Sequence, residues 1–104
     1  MYATDRRYEG IDQTRFDELT RKVNEGLIPR LSKLPGFKGY YLMEAGEGVV
    51  RSTTLFDKSS QAEDSTRIAA EWTEEEKLEK LIPNAPKVTV HKVFALETKA
   101  PALV

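Results

Sequence analysis

Apolar residues recur at steps of three and four from Phe16 through Leu19, Val23, Leu27, Leu31 and Leu34. One stripe of a helix collects positions at that spacing, so an amphipathic helix is predicted here. Its polar face sets Asp17 four residues before Arg21 and Glu18 four before Lys22, the order that suits a solvated helix surface. Thr14 with Asp17 reads as an acidic variant of a capping box. Pro29, preceded by Gly26, is expected to kink or end the regular helix and to leave "RLSKLPG" as an irregular turn. Ahead of this helix, "YATDRRYE" ends at Gly10 and reads as a first strand.

Two strand-like runs follow, "FKGYYLME" and "VVRSTTLFD", separated by "AGEG". Glycines that accept positive φ suit a hairpin connection. A phosphate-binding glycine loop would instead join a strand to a helix N-terminus, where several N–H groups converge on the anion. A strand follows here, so the Gly-Glu-Gly is read as a bend. A second helix is expected after Asp57, with Ser60 and Glu63 as a capping box and with Ala62, Ser65, Ala69 and Trp72 on one face. Thr73 and Glu76 repeat the capping pattern, so the chain is expected to restart as a short helical turn before Pro83, its "EEE" serving a helix N-terminus. "KVTVHKVFALE" reads as the last strand and "TKAPALV" as a loose tail. The order β-α-β-β-α-β predicts an α+β, ferredoxin-like sandwich: a four-stranded antiparallel sheet with helices on one face.

Such a sheet should be apolar inward and polar outward. These strands are not. Phe37, Tyr41 and Met43 oppose Tyr40 and Leu42; Val49 and Leu55 oppose Val50 and Phe56; Val88, Val90, Phe94 and Leu96 oppose Val93 and Ala95. Large apolar groups on both faces imply that something covers the second one.

A chain of 104 residues is one domain on length grounds, here 1–97 with a flexible tail at 98–104. Its 17 acidic residues nearly cancel 16 basic ones, so no general pull toward nucleic acid or anionic membrane is expected. Cysteine is absent, which removes disulfides and thiolate chemistry. The N-terminus is charged where a signal peptide needs an apolar core, and no apolar run is long enough for a membrane span, so a cytoplasmic protein is expected. A single histidine argues against multi-histidine metal sites, and no Ser-His-Asp arrangement can be assembled.

In "RRYEG", "LPGFKGYYLM", "TTLFDKSSQAEDSTRIAAEW" and "VTVHKVF", taken in order, the chain resembles the dimeric α/β barrel superfamily that includes antibiotic-biosynthesis monooxygenases. The resemblance implies a homodimer that packs sheet against sheet into an α/β barrel with small-molecule pockets inside. It also implies oxygenase activity on an aromatic or quinol-like substrate without metal, flavin or other cofactor. A non-catalytic ligand-binding or structural homodimer is the competing reading.

Five residues are candidates for ligand contact. Tyr40 and Tyr41 are adjacent in a strand, so one of them should face the cavity and could hydrogen-bond a ligand oxygen. Arg51 in mid-strand would favour an anionic or phenolate-like ligand, or else pair with an acid such as Glu44. Arg6 and Arg7 pose the same choice, one for each face. His91 could accept a proton, or lie in solvent or at a dimer seam. Trp72 could shape a pocket, although its register with Ser65 and Ala69 suits core packing. Tyr41, Arg51 and His91 are the catalytic candidates. RNA-recognition domains share the element order, but "VVRSTTLF" lacks their alternating aromatics and the charge is slightly acidic.

Overall fold

Alternate residues of the first strand, Thr4, Arg6 and Tyr8, are buried while their neighbours are partly open, so one sheet face carries the core from the start of the chain. The computed structural model describes residues 1–96; the expected tail lies outside them. Strand β1 (Tyr2–Tyr8) leads through a 3-10 turn at Gln13–Arg15 into α1 (Phe16–Lys22), a π-helical turn (Val23–Leu27) and α2 (Ile28–Ser32). Strands β2 (Phe37–Gly46) and β3 (Val49–Phe56), helix α3 (Ser59–Glu75) and strand β4 (Lys87–Lys92) complete the order. The sheet runs β2-β3-β1-β4 and every neighbouring pair is antiparallel, the ferredoxin-like arrangement read from the sequence.

The first helical segment buries Leu19, Val23, Leu27 and Leu31, with Phe16 and Leu34 packed beside them. Two of its details differ from expectation. Asp12, not Thr14, is the cap: its Oδ1 accepts from the Thr14 amide at 2.9 Å and from the Thr14 hydroxyl at 2.7 Å. The regular helix is interrupted just before Pro29 but does not end there: helical turns continue to Ser32, into the stretch expected as an irregular turn. Proline cannot donate to the carbonyl four residues back, and the chain meets that one turn earlier by widening to the π-helical turn, in which the Ile28 amide reaches Val23 O.

The "AGEG" stretch is the predicted hairpin bend, with Gly46 and Gly48 at φ 136° and 65°. A bulge between Phe37 and Gly39 changes the expected faces of β2. It turns Phe37 inward with Tyr40 and Leu42, edge-on to Phe56 at 5.9 Å between ring centroids. Tyr41 and Met43 point to the other face.

Helix α3 is capped at Lys58, two residues before the predicted Ser60, and the Lys58 amide is held by Gln61 Oε1 at 3.0 Å. Nor does the chain restart at Thr73, whose hydroxyl donates to Ala69 O inside the same helix. The three glutamates 74–76 therefore sit at a C-terminus, against the helix dipole, and Arg30 offsets one of them through Nη2 at 2.7 Å from Glu75 Oε2. Lys77 then takes a left-handed φ of 54° and the Leu78 amide closes on Thr73 O, the closure used where helices stop. Leu78, Leu81 and Ile82 pin the following segment to the core. The last strand is shorter than expected, ending at Lys92, after which Phe94 is 90% exposed.

Candidate functional site

Helix α3 lies over β1 and β3 and reaches β4, but it does not close the inner side of that edge strand, and Val88 and Val90 remain exposed. The segment between α3 and β4 bends back across that gap. Asn84 Nδ2 donates to Glu9 O at 3.1 Å and ties the segment to the end of β1. The result is a cavity of about 540 Å³, open to solvent at one side, with Ala69 and Ala70 of α3, Ile82, Pro83 and Pro86 of the returning segment and Val88 of β4 as apolar walls. Thr66 and Thr73 add hydroxyls, Glu74 and Glu79 are exposed residues of its margin, and Arg6 and Tyr8 of β1 complete the lining. A volume of this size falls within the range of small-molecule sites, which are mostly apolar with few polar groups.

Arg6 is the unusual member. It is 1% exposed, although arginine is rarely buried without a charged partner. Nη1 donates to Thr54 Oγ1 at 3.2 Å, Nη2 donates to Ser65 Oγ at 2.7 Å and more weakly to Thr66 Oγ1 at 3.5 Å, and Nε has no partner. Ser65 can accept because its own proton goes to Ala62 O at 2.6 Å, a carbonyl that also receives the Thr4 hydroxyl. Burial pushes the Arg6 guanidinium below its ordinary value, with nearby Tyr8 and Tyr40 partly offsetting this. Burial in turn raises Tyr8, and it pushes Tyr40 up to about 12, helped by the neighbouring Tyr8. Both phenols are therefore neutral near pH 7, and arginine itself stays protonated there.

None of the five sequence candidates lines this cavity. Tyr40 and Trp72 are on the helix-covered side, where with Tyr8 they border a hollow of only about 10 Å³; Trp72 is 1% exposed. Tyr41, Arg51 and His91 lie on the open sheet face, on β2, β3 and β4. Arg51 is paired with Asp5 of β1 rather than with Glu44, and that contact raises the arginine above its ordinary value. His91 Nε2 and Thr89 Oγ1 are 2.8 Å apart at the other edge. The choice left open at Arg6 and Arg7 resolves cleanly: Arg7 faces outward and pairs with Glu9 at 3.0 Å, and Arg6 faces in. A signal for Arg6 existed in the inward phase of "VVRSTTLF", where Ser52 and Thr54 share a side with Val50 and Phe56. Inward hydroxyls need polar company.

Fold and cavity together define a ferredoxin-like α+β protein with a small-molecule-sized cavity beneath α3. No protein-family model and no curated protein sequence matches the chain. Solved structures do. A protein of unknown function from Nitrosomonas europaea matches over 96% of this chain and 95% of its own, with a TM-score of 0.72 at 15% identity. A monooxygenase from Streptomyces coelicolor, in complex with the ligand nanaomycin D, matches over 95% and 92% with a TM-score of 0.70 at 13% identity. A dimeric ferredoxin-like protein from an uncultured marine organism matches over 94% and 98%, with a TM-score of 0.64 at 13% identity. At these identities the shared property is the fold. Among the described residues no helix is long and apolar enough to cross a membrane, and no group of three or more acidic or histidine side chains could hold a metal ion.

Proposed function

We propose that the protein is a homodimer that binds a small apolar molecule in the cavity beneath α3 and acts there as a cofactor-independent monooxygenase on an aromatic or quinol-like substrate. The observation that carries this reading is the cavity of about 540 Å³, walled mainly by alanine, proline and branched residues on a fold shared with a monooxygenase. In the reaction a phenolic ring C–H becomes C=O. The substrate supplies all four electrons to O2, so one oxygen atom enters the product and the other leaves as water, and no external reductant is needed. Tyr41, Arg51 and His91 would then line the space between the two open sheet faces of the dimer, and a dimeric protein of the same fold supports that packing.

A second reading, ligand binding without turnover, is favoured by the position of the only histidine, on the sheet face away from the cavity. One experiment separates the two. The neutral fluorophore N-phenyl-1-naphthylamine should bind the wild-type protein, and Ala70→Trp, which fills the cavity mouth, should weaken it. Oxygen uptake with a panel of aromatic polyphenols in chelator-treated buffer should be lost in the same variant. Binding that Ala70→Trp blocks, with no uptake from any polyphenol, would leave the non-catalytic reading standing; absence of binding would remove the cavity from both.

A further inference from the structure

The chain has seven arginines, and among the described residues six of them meet a carboxylate: Arg7, Arg15, Arg21, Arg30, Arg51 and Arg67, all at least partly exposed. The seventh, Arg6, is the buried one, and its recorded partners are the hydroxyls of Thr54, Ser65 and Thr66. Physical cost runs the other way. An exposed arginine gains little from a partner because water already solvates it, whereas a guanidinium removed from water without a counter-ion is strongly disfavoured. Its neighbours on the inner face do not supply the missing charge. Tyr8 and Tyr40 stay neutral, and the carboxylates of β1 are turned outward, Asp5 to Arg51 and the following Glu9 to Arg7. The cavity that Arg6 lines adjoins it and can admit a further group.

We propose that the cavity takes an apolar molecule bearing a single carboxylate, and that Arg6 is the residue that binds this carboxylate. This rests on the cavity reading above but not on its oxygenase chemistry. Charge complementarity selects the anion, and planar oxygens match the guanidinium fork. The alanine and proline walls select an apolar body. Glu74 and Glu79 at the margin select against a second negative charge, so phosphate esters and polyanions are disfavoured. The hydroxyls of Ser65 and Thr54 hold the guanidinium in place, which leaves its remaining N–H capacity for the ligand.

The test is displacement of N-phenyl-1-naphthylamine by two molecules of one shape, 2-naphthoate and 2-naphthamide. Wild-type protein should prefer the carboxylate by about ten-fold or more, the factor expected of one charge-assisted hydrogen bond. In Arg6→Met the preference should fall to near one while the neutral fluorophore still binds, and in Arg6→Lys, which keeps charge but not the fork, an intermediate preference should remain. Equal displacement by the two competitors on the wild-type protein would overturn the assignment, as would a preference that survives in Arg6→Met. If Arg6→Met does not fold, the wild-type ratio and its reduction in Arg6→Lys decide the matter. A fluorophore that never binds would overturn the cavity reading itself, and the carboxylate with it; one that binds without discrimination overturns only the carboxylate.

Discussion

Tyr40 shows how the polar cluster behind the cavity ties stability to pH. Its phenol is pushed from an ordinary 10.0 up to about 12, chiefly by burial and then by Tyr8. The folded state therefore favours the neutral phenol more than the unfolded chain does. That contribution is fully present below pH 10 and is lost as pH rises through the folded value. Tyr40→Phe cannot ionise, so urea unfolding measured at about pH 9 and about pH 11 should show a smaller alkaline loss for the variant than for the wild type. Equal losses would mean that Tyr40 does not titrate with folding; some loss is expected to persist because burial raises Tyr8 in the same direction. At this scale the sequence was least legible. That Arg6 and Arg7 face opposite ways follows from strand geometry, but which of them enters the core depends on Ser52, Thr54 and Ser65, contributed by β3 and α3, more than forty residues away. The register of Trp72 with Ser65 and Ala69 already suited the core, where it lies, whereas strand geometry left the choice between Tyr40 and Tyr41 open and only packing beside Leu19, Val23 and Leu27 assigns Tyr40 to the inner side.

Among the elements, the π-helical turn between α1 and α2 is the one with a steric reason on each side. Pro29 withholds an amide from the helix, and Gly26 lies against the buried Trp72 indole. A Cβ at Gly26 would sit 2.5 Å from Trp72 Nε1 and 3.3 Å from its Cδ1, so the buried ring would have to shift to admit it. In an ordinary helix Gly→Ala gains up to about 1 kcal/mol from propensity. Here overpacking of about 1–3 kcal/mol opposes that gain, and Gly26→Ala should lower the melting temperature. Trp72→Phe removes Nε1, so Gly26→Ala introduced into that background should be neutral or favourable; a loss of the same size in both backgrounds would show that the contact is not its cause. Element types were legible because apolar spacing by three and four marks a helix, and short runs rich in β-branched and aromatic residues between glycines and prolines mark strands. Element ends were less so. The Thr73–Glu76 pattern suits a helix start, yet Thr73 spends its hydroxyl on Ala69 O within α3. The bulge in β2 was hidden because the apolar run "FKGYYLM" reads the same in either register.

For the whole molecule the open sheet face is the surface on which the proposed dimer rests. It carries Tyr41 and Met43, each 45% exposed, beside the Arg51–Asp5 pair, whose partners are turned to the same side. A sheet face that was to remain in water would normally alternate to polar residues along every strand. Exposed aromatic and thioether groups on edge strand β2 lie instead beside a satisfied ion pair on the central strands β3 and β1, a mixture of apolar and polar surface of the kind found where proteins associate. Two such faces related by a two-fold axis present the same patch to each other, which suits a closed dimer rather than a growing array. Light scattering over a dilution series should therefore give a mass near twice 11.8 kDa. The double variant Tyr41→Glu, Met43→Glu should give the monomer mass with an unchanged helical signal, because neither side chain is in the core beneath the helices. The cavity beneath α3 lies on the helix-covered side of the sheet and neither Tyr41 nor Met43 lines it, so this monomer should still bind N-phenyl-1-naphthylamine. Loss of fluorophore binding together with the dimer would place the site between subunits, where Tyr41, Arg51 and His91 lie, rather than beneath α3 with Arg6.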